Sequence, residues 1–312
     1  MPCDRGLRVL LNPAGIDDQT GPAFLARCFA TRWSDAMFRW YLQRPFGGEP
    51  PDRVILTDGA HAVAACGLAY RNLRTPDGEV LRVSVVVAAC TLPSARGRGC
   101  YARVLEAAIQ RSAARGCAAL LGFVTADNAT GRGLRRLGAA AIPSAYIVSR
   151  DRAHTSRANN LRLSGARVTD DWPVRAARRV RGGGARAAFD YPDAQTWRSQ
   201  MVDRPHGVQA VRIGATCRAL IEGAGDTDRL QWLDGEGRER AAAIRTVAAR
   251  AAHAGRRFFM YSTCPQEAAA AQRLGLALRP GYMMALAVQQ HRAAKVRTWP
   301  GLSWLVQSGD RL

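Results

Sequence analysis

Two arginines and two glycines alternate between a valine-rich segment and an alanine-rich segment. They are Arg96, Gly97, Arg98 and Gly99. Glycines let the main chain turn several N–H groups towards one point, and the first turn of a helix adds unpaired N–H donors. The positive end of the helix dipole and two guanidinium groups would strengthen the attraction for an anion. This chemistry suits a diphosphate, although an ordinary turn from a strand into a helix could have the same residues.

Two other phosphate-binding loops are excluded by spacing. The sequence has no GxxxxGK[ST] motif, which is the loop that binds nucleoside triphosphates. It also lacks a GxGxxG motif at this position, so a dinucleotide-binding fold is not indicated.

Hydrophobic patterning predicts the elements that would position the loop. Valine-rich or apolar runs predict strands, and periodic apolar residues predict helices. Gly116 is a glycine stop at the end of the helix that follows the loop. The alternation predicts an α/β fold with a mixed sheet. The predicted strands are 53–57, 62–70, 80–91, 117–125, 145–149 and 230–233, and the predicted helices are 33–42, 99–115 and 130–137.

The charge balance indicates a partner that carries phosphate. The 312-residue chain has a formal net charge of +20, and Lys295 is its only lysine. GC-rich coding explains arginine in place of lysine, but it does not explain the shortage of acidic residues. Such a surplus attracts phosphates, on a cofactor or on nucleic acid.

The cysteines and the apolar segments exclude several classes of protein. None of the eight cysteines forms a CxxC pair or a cluster with histidine, so neither a disulfide framework nor a metal site is expected. The longest apolar runs, 85–90 and 117–124, are too short to span a membrane. The N-terminus has no pattern of a signal peptide. We therefore expect a cytoplasmic protein with reduced thiols and no membrane partner.

Three sequence echoes in the same order predict an internal duplication. RPFG at 44–47 returns as RPHG at 204–207, AARGCAALLGFVT at 113–125 as AHAGRRFFMYST at 252–263, and RRLGAAAIPSAYI at 135–147 as QRLGLALRPGYMM at 272–284. Ten arginines and three adjacent glycines separate the two halves. The predicted domains are 1–152, an arginine- and glycine-rich linker at 153–188, and 189–312. The tail from Trp299 is predicted to dock as a closing strand.

The text from Val83 to Ala139, VSVVVAACTLPSARGRGCYARVLEAAIQRSAARGCAALLGFVTADNATGRGLRRLGA, resembles the GNAT acyltransferase family. That family's pyrophosphate motif is Q/R-x-x-G-x-G/A, and here it departs from the pattern only at Tyr101. The resemblance implies a fold of two GNAT-like domains in tandem, of which the first binds acetyl-CoA or another acyl-CoA.

The resemblance also implies how the donor would be bound. Main-chain groups near Cys90 and Thr91 would pair with the pantetheine arm. Asn128 would touch the arm from the other side, although it could equally cap the following helix. The diphosphate would lie on the main-chain amides of Arg96, Gly97, Arg98, Gly99, Cys100 and Tyr101.

The catalytic residues are less clear. The family often takes its general acid from a tyrosine at the position that Leu134 occupies here, and leucine cannot donate a proton. No carboxylate that could act as a base lies inside the strand at 80–91. Tyr146 is our substitute for the general acid. Cys100 at a helix N-terminus is an alternative as a nucleophile, and positioning with water as the proton carrier is another.

The second half has lost the loop. Only Asp234 and Gly235 separate its strand from its helix, and Glu236 and Glu239 would repel a diphosphate. We therefore expect residues 189–312 to be a degenerate copy.

Three functions are compatible with these features. The first is transfer of an acyl group from acyl-CoA to the primary amine of a small molecule, as in bacterial-type biosynthesis. The second is a GNAT-fold transferase that takes its acyl group from an aminoacyl-tRNA through the basic surface. The third is a module that binds acyl-CoA or nucleic acid without catalysis. The acceptor, the acyl chain length and the oligomeric state are left open by the sequence.

Overall fold

The computed structural model describes residues 6–13, 21–149, 163–169, 171–174, 186–235 and 237–311. The strand predicted at 80–91 and the helix predicted at 99–115 are present with almost the predicted ends. The elements of the first half are β1 Leu7–Leu11, α1 Pro22–Phe29, α2 Asp35–Leu42, β2 Asp52–Asp58, β3 His61–Arg74, β4 Val80–Thr91, α3 Cys100–Ala114, β5 Ala119–Thr125, α4 Ala129–Arg136 and β6 Ala140–Val148.

The second half repeats the order of strand, long helix, strand, shorter helix and strand. Short 3₁₀ turns at 290–292, 299–301 and 308–310 surround the last helix and the tail. After β7 Leu163–Gly165, the elements are β8 Ala188–Asp190, α5 Ala194–Met201, β9 Val208–Ile213, β10 Cys217–Ala224, β11 Thr227–Asp234, α6 Gly237–His253, β12 Arg257–Ser262, α7 Pro265–Arg273, β13 Ala277–Ala287 and α8 Ala293–Arg297.

The thirteen described strands form one continuous mixed sheet. Their order is β1-β2-β3-β4-β5-β13-β6-β12-β11-β10-β9-β7, and β8 pairs with β3. The two halves exchange their last strands: β13 of the second half lies beside β5, and β6 of the first half lies beside β12. This fold class, α/β with two similar units in tandem, is the one that the sequence predicts.

Both faces of the sheet are covered around β5, which explains its uninterrupted apolar sequence. Leu121 packs in one cluster with Phe24 of α1 and Phe38 of α2. Leu120 points the other way and packs in a second cluster with Val104 of α3. The first face therefore lies under α1 and α2, and the second lies under α3.

A β-bulge bends β4 near its end. Residues 88 and 89 together oppose the single residue Cys66, between the pairs Val87–Gly67 and Cys90–Ala65, so that β4 has one extra residue. Ala88 has φ 48°, in the left-handed region that non-glycine residues rarely occupy. A Cβ at Gly67 would lie 2.4 Å from Leu42 and 2.7 Å from Val87, so glycine lets α2 approach the bulge. Bulges of this kind re-aim a strand next to a functional site.

The predicted linker at 153–188 lies mostly outside the described residues. Within it, β7 pairs with β9 and Trp172 is buried against Trp197 and Trp232. The limits 1–152 and 189–312 stay a prediction. Among the described helices, none has the length and apolar character needed to cross a membrane.

Candidate functional site: an open wedge and a glycine loop

Strands β4 and β5 separate at the edge of the sheet that carries the glycine loop. They pair in parallel over three residue pairs, of which the last joins Val85 and Leu121. Beyond this point, residues 86–91 of β4 follow β3, and residues 122–125 of β5 follow β13. We call the space between these two segments the β4–β5 wedge. Its two main-chain edges face each other, as the edges of a missing strand would.

Gly97 and Gly99 give the loop its shape through their backbone conformation. Their φ angles are 80° and 76°, which any other residue would adopt only with strain. An added Cβ at either position would meet no atom within 4 Å. Glycine is therefore required by the turn and not by packing.

The loop presents a row of main-chain donors. Within the described residues, the N–H groups of residues 97–101 have no hydrogen-bond acceptor; Cys100 and Tyr101 begin α3, and Gly99 is its N-cap residue. The N–H of Arg96 differs, because it donates to the carbonyl of Pro93 at 3.3 Å. The predicted set of amides is thus corrected to begin at Gly97. Unpaired N–H groups at a helix start form an anion site.

The two loop arginines are held by the protein rather than directed into open solvent. The Arg96 guanidinium donates to the carbonyls of Cys28, at 3.0 Å, and Thr91, at 3.4 Å. Arg98 pairs with Asp58 at 2.8 Å, and 49% of its side chain is exposed. Arg96 therefore braces the loop against α1, and Arg98 keeps its charge at the rim.

Thr91 contributes more to the wedge than Cys90 does. The N–H of Leu92 donates to Val63 of β3, and successive residues of a strand point in opposite directions. Thr91 therefore directs its main-chain polar groups away from β3 and towards the wedge. Its Oγ1 is buried without a hydrogen-bond partner. The Cys90 side chain packs in the core, where its hydrogen bond with Cys28 and burial raise its pKa.

The side chains of Cys100 and Tyr101 pack in or against the second apolar cluster, so that only their main chain is left for an anion at the loop. The Cys100 side chain is 1% exposed and lies in the apolar cluster below α3. The alternative of a Cys100 nucleophile is therefore not supported. Tyr101 packs against the second cluster, and burial raises its pKa to about 12.

Asn128 caps α4. Its Oδ1 accepts a hydrogen bond from the N–H of Thr130 at 2.7 Å, and the residue is exposed. This contact is the capping interaction that the sequence offered as the alternative to cofactor binding. Only the amide nitrogen of the side chain is left for another partner.

Tyr146 lies in an aromatic cluster on the first face of the sheet. Its ring centroid is 5.2 Å from that of Tyr261 and 6.4 Å from that of Phe259. Phe123, from the wedge segment of β5, lies 5.5 Å from Tyr261. The cluster thus connects the wedge with Tyr146. Burial raises the pKa of Tyr146, so its hydroxyl stays protonated at neutral pH.

A cavity of about 530 Å³ adjoins this cluster. Phe259 lines one side, and Tyr41 of α2 lines another. Among the residues that the structure describes, five arginines and no aspartate or glutamate contribute to the wall. The arginines are Arg204, Arg229, Arg257, Arg279 and Arg311.

The corresponding wedge of the second half is filled by the tail of the chain. Strands β11 and β12 pair in parallel only up to Leu230 and Met260. Beyond this point, the side-chain Oε1 of Gln307 accepts a hydrogen bond from the N–H of Leu233 at 2.8 Å. The main chain of Gln307 forms an antiparallel β-bridge with Ser262 of β12. The tail therefore occupies the place between β11 and β12 that is open between β4 and β5.

The sequence did not identify the cavity residues. Arg311 is one arginine among many, and nothing in its local sequence distinguishes it from its neighbours. Tyr261 follows an apolar run that reads as a buried strand. One signal was present in the sequence, the second echo, in which YST at 261–263 corresponds to FVT at 123–125 and Tyr261 therefore to Phe123.

No candidate metal site accompanies these residues. In the part of the chain that the structure describes, no three histidine, cysteine, aspartate or glutamate side chains come together as ligands.

Comparison with solved structures identifies the fold. Neither a protein-family model nor a curated protein matches the sequence. Saccharomyces cerevisiae N-myristoyltransferase with bound myristoyl-CoA superposes with a TM-score of 0.65 at 9% identity, over 92% of this chain and 85% of the other. A tandem GNAT protein from the clavulanic acid biosynthesis pathway gives 0.60 at 13% identity, over 91% and 99%. A GCN5-related N-acetyltransferase from Anabaena variabilis gives 0.59 at 12% identity, over 93% and 75%. The chain therefore has the GNAT acetyltransferase fold in its tandem form.

Proposed function

We propose that the protein is an N-acyltransferase that moves the acyl group of acetyl-CoA, or of another acyl-CoA, to the primary amine of a small molecule. The observation that carries this proposal is the open β4–β5 wedge, with the unpaired N–H groups of residues 97–101 at its rim. The GNAT fold supports the same reaction type.

The residues at the wedge fit the donor. The diphosphate would accept hydrogen bonds from the amides of residues 97–101, where the helix dipole of α3 is also favourable. The pantetheine arm carries amide groups that can pair with strand edges. Thr91 offers its main chain and the buried Oγ1 for this purpose.

The chemical step needs a neutral amine and a proton for the departing thiolate. The amine nitrogen forms a bond to the thioester carbon, the carbon–sulfur bond breaks, and the amine loses one proton as the thiolate gains one. Tyr146 is our choice for the group that donates to sulfur, since its raised pKa keeps its proton in place until the thiolate forms. Water remains the alternative proton carrier.

The tRNA-dependent alternative would use the positive surface instead of the wedge. The net charge of +20 favours it, but an open wedge with free amides has no role in it. The non-catalytic alternative would use the wedge without turnover.

Calorimetry with acetyl-CoA, followed by a thiol-release assay with mixed primary amines, tests the proposal. We expect a 1:1 complex and release of CoA that depends on the amine. Failure to bind any acyl-CoA would refute the proposal, and binding without thiol release would favour the non-catalytic module. A donor activity that requires charged tRNA and collapses with added salt would favour the tRNA-dependent enzyme.

A further inference from the structure

The arginine-lined cavity lies at the same edge of the sheet as the wedge. Strands β5 and β6 both run antiparallel to β13, and Gly281 of β13 lies between Thr125 and Ser144. Tyr146 and Val148 therefore lie beyond the end of β5, on the side towards which the wedge opens. Val148 lines the cavity, and Tyr146 is in the aromatic cluster beside it.

The charge of the cavity is only partly neutralised. Glu222 lies 3.4 Å from Arg204 and 3.7 Å from Arg229, and Asp226 lies 2.8 Å from Arg257. Two arginines of the wall are left. None of the ion pairs within 4.0 Å among the described residues involves Arg279 or Arg311, although Arg279 is close enough to Asp127 to help lower the pKa of that carboxyl.

Arg311 is held in a fixed orientation by aromatic rings. Its guanidinium carbon lies 4.6 Å from the ring centroid of Tyr146 and 4.7 Å from that of Tyr261. The same guanidinium carbon lies 5.9 Å from the ring centroid of Phe123 and 5.8 Å from that of Phe259, which belong to the same aromatic cluster. The Nε of Arg311 is buried and has no hydrogen-bond partner among the residues that the structure describes.

The main chain of Arg311 is also fixed. Its N–H donates to Ser308 at 3.2 Å, and its carbonyl accepts from Gln200 at 3.3 Å. A planar guanidinium that is already ordered loses little entropy when it binds, and its N–H edge matches the two oxygens of a carboxylate.

From this geometry we infer that the acceptor is an amine that also carries a carboxylate, and that the carboxylate binds the N–H edge of Arg311 in the arginine-lined cavity. The inference rests on the proposed function. It adds the class of acceptor, an amino acid or a related amino carboxylate, and a residue that determines specificity.

The same positive wall would also help the amine to react. Positive charges disfavour the ammonium form, so they lower the pKa of a bound amine and raise the fraction that is neutral. The carboxylate compensates for the cost of bringing the amine into this field. A site built in this way needs no carboxylate base, and the β4 strand supplies none in its interior.

Matched pairs of acceptors test the inference. Each pair consists of an α- or ω-amino acid and the amide in which a neutral carboxamide replaces the carboxylate. We expect kcat/KM for the acid of the best pair to exceed that for its amide by at least about 10-fold, as for loss of a charge-assisted hydrogen bond. Equal or better use of the amides, or no use of any acid, would overturn the inference.

Two variants of Arg311 test whether this residue causes the preference for the acid over the amide. Arg311→Gln should lower kcat/KM for the acid by at least about 10-fold while changing the rate with the amide by less than about 3-fold, and Arg311→Lys should recover part of the loss. The acidic limb of the pH profile for the acid should move to higher pH in Arg311→Gln, because the amine regains its ordinary pKa. Arg136→Gln removes the same charge from an exposed position on α4 and is the control.

The outcomes separate the two proposals. Calorimetry with acetyl-CoA alone reports on the donor site, and its failure would refute the proposed function together with the inference. Normal donor binding with equal losses for acid and amide in Arg311→Gln would show that Arg311 is structural, and would overturn the inference alone.

Discussion

The two halves of the molecule share one architecture and differ in what fills it. In each half the strand before the long helix has a bulge with one extra residue: residues 88 and 89 of β4 oppose Cys66 alone, and β11 carries Gln231 between Leu230 and Trp232. Each strand leaves the parallel strand beside it just before its bulge, after Val85 in the first half and after Leu230 in the second. The wedge is therefore a property of the repeated unit.

The connection to the helix decides what the wedge can hold. In the first half, residues 92–99 form a wide loop, and the unpaired amides begin at Gly97. In the second half, β11 ends at Asp234 and α6 starts at Gly237, and Arg240 donates to the carbonyl of Leu233 at 2.6 Å. The protein fills the second wedge with its own tail, whereas the first wedge is the place where we propose that the donor binds. One chain thus contains both the proposed site and a filled version of it.

The largest effect is expected from a substitution in the loop that the second half lacks. Gly99→Glu should weaken acetyl-CoA binding by at least about 100-fold, because a like charge among the amides repels the diphosphate and the positive φ is strained. Calorimetry measures the affinity, and thermal unfolding measures the stability.

Gly116→Glu is the control for this substitution. Gly116 has φ 72° just after α3, and a Cβ there also meets nothing within 4 Å, so strain and added charge are matched. Gly116→Glu should lower the free energy of unfolding about as much as Gly99→Glu does, on the order of 1 kcal/mol. The affinity for acetyl-CoA should stay within about 2-fold of that of the unchanged protein. Equal loss of affinity in both variants would mean that the loop is not the anion site.

The second prediction concerns Tyr146, which has a methionine at the corresponding position of the second half. The third echo places Met283 where the first half has Tyr146. Tyr146→Phe should reduce kcat by about 10- to 100-fold with unchanged affinity for acetyl-CoA, as expected for loss of a proton donor. Tyr282→Phe, on β13 and in the cluster of the opposite face, should leave kcat unchanged. If Tyr146→Phe kept the full kcat, water rather than Tyr146 would donate the proton to the departing thiolate.

Much of the fold was predictable, because the local sequence determines it. The valine run of β4 predicted the strand, since β-branched residues favour extended backbone. Gly97 and Gly99 predicted the turn, since glycine adopts a positive φ without strain. The exchange of β6 and β13 was not predictable: both follow a helix that ends in Leu-Gly, so local sequence cannot choose between two equivalent places in the sheet. The tail was expected to dock as a strand. It does dock, but through single bridges of Trp304 and Gln307 and a 3₁₀ turn.

The site was predictable to the extent that main-chain conformation defines it. Glycine spacing predicted the row of unpaired amides, although the N–H of Arg96 is already paired with Pro93. The binding of a diphosphate by these amides stays a prediction. Arg311 could not be identified, because its role depends on four aromatic rings contributed by three strands that are distant in sequence.

A third prediction tests the contact between the tail and the space between β11 and β12 that the tail fills. Gln307→Ala removes the side-chain acceptor of a buried main-chain N–H between β11 and the tail, and should lower the free energy of unfolding by about 1–3 kcal/mol. Affinity for acetyl-CoA should stay within about 2-fold, since the first wedge is untouched. Denaturant unfolding and calorimetry measure the two quantities.

Gln209→Ala is the matched control for the tail variant. The Gln209 side chain is exposed, and among the described residues it accepts a hydrogen bond only from Arg250. Removal of this side chain should change the free energy of unfolding by less than about 0.5 kcal/mol. If Gln307→Ala were equally harmless, the tail would not stabilise the second wedge.

The smallest effect is expected at the bulge that opens the first wedge. Ala88 adopts φ 48°, which costs about 1 kcal/mol for a residue with a Cβ. Ala88→Gly should therefore raise the free energy of unfolding by up to about 1 kcal/mol. Ala89→Gly, at the other residue of the bulge, should lower it, because no positive φ is relieved there and the unfolded chain gains freedom. Donor affinity should be nearly unchanged in both, since the bulge sets the direction of β4 in either case. If both variants lost similar stability, the left-handed conformation of Ala88 would not be what bends β4 away from β5.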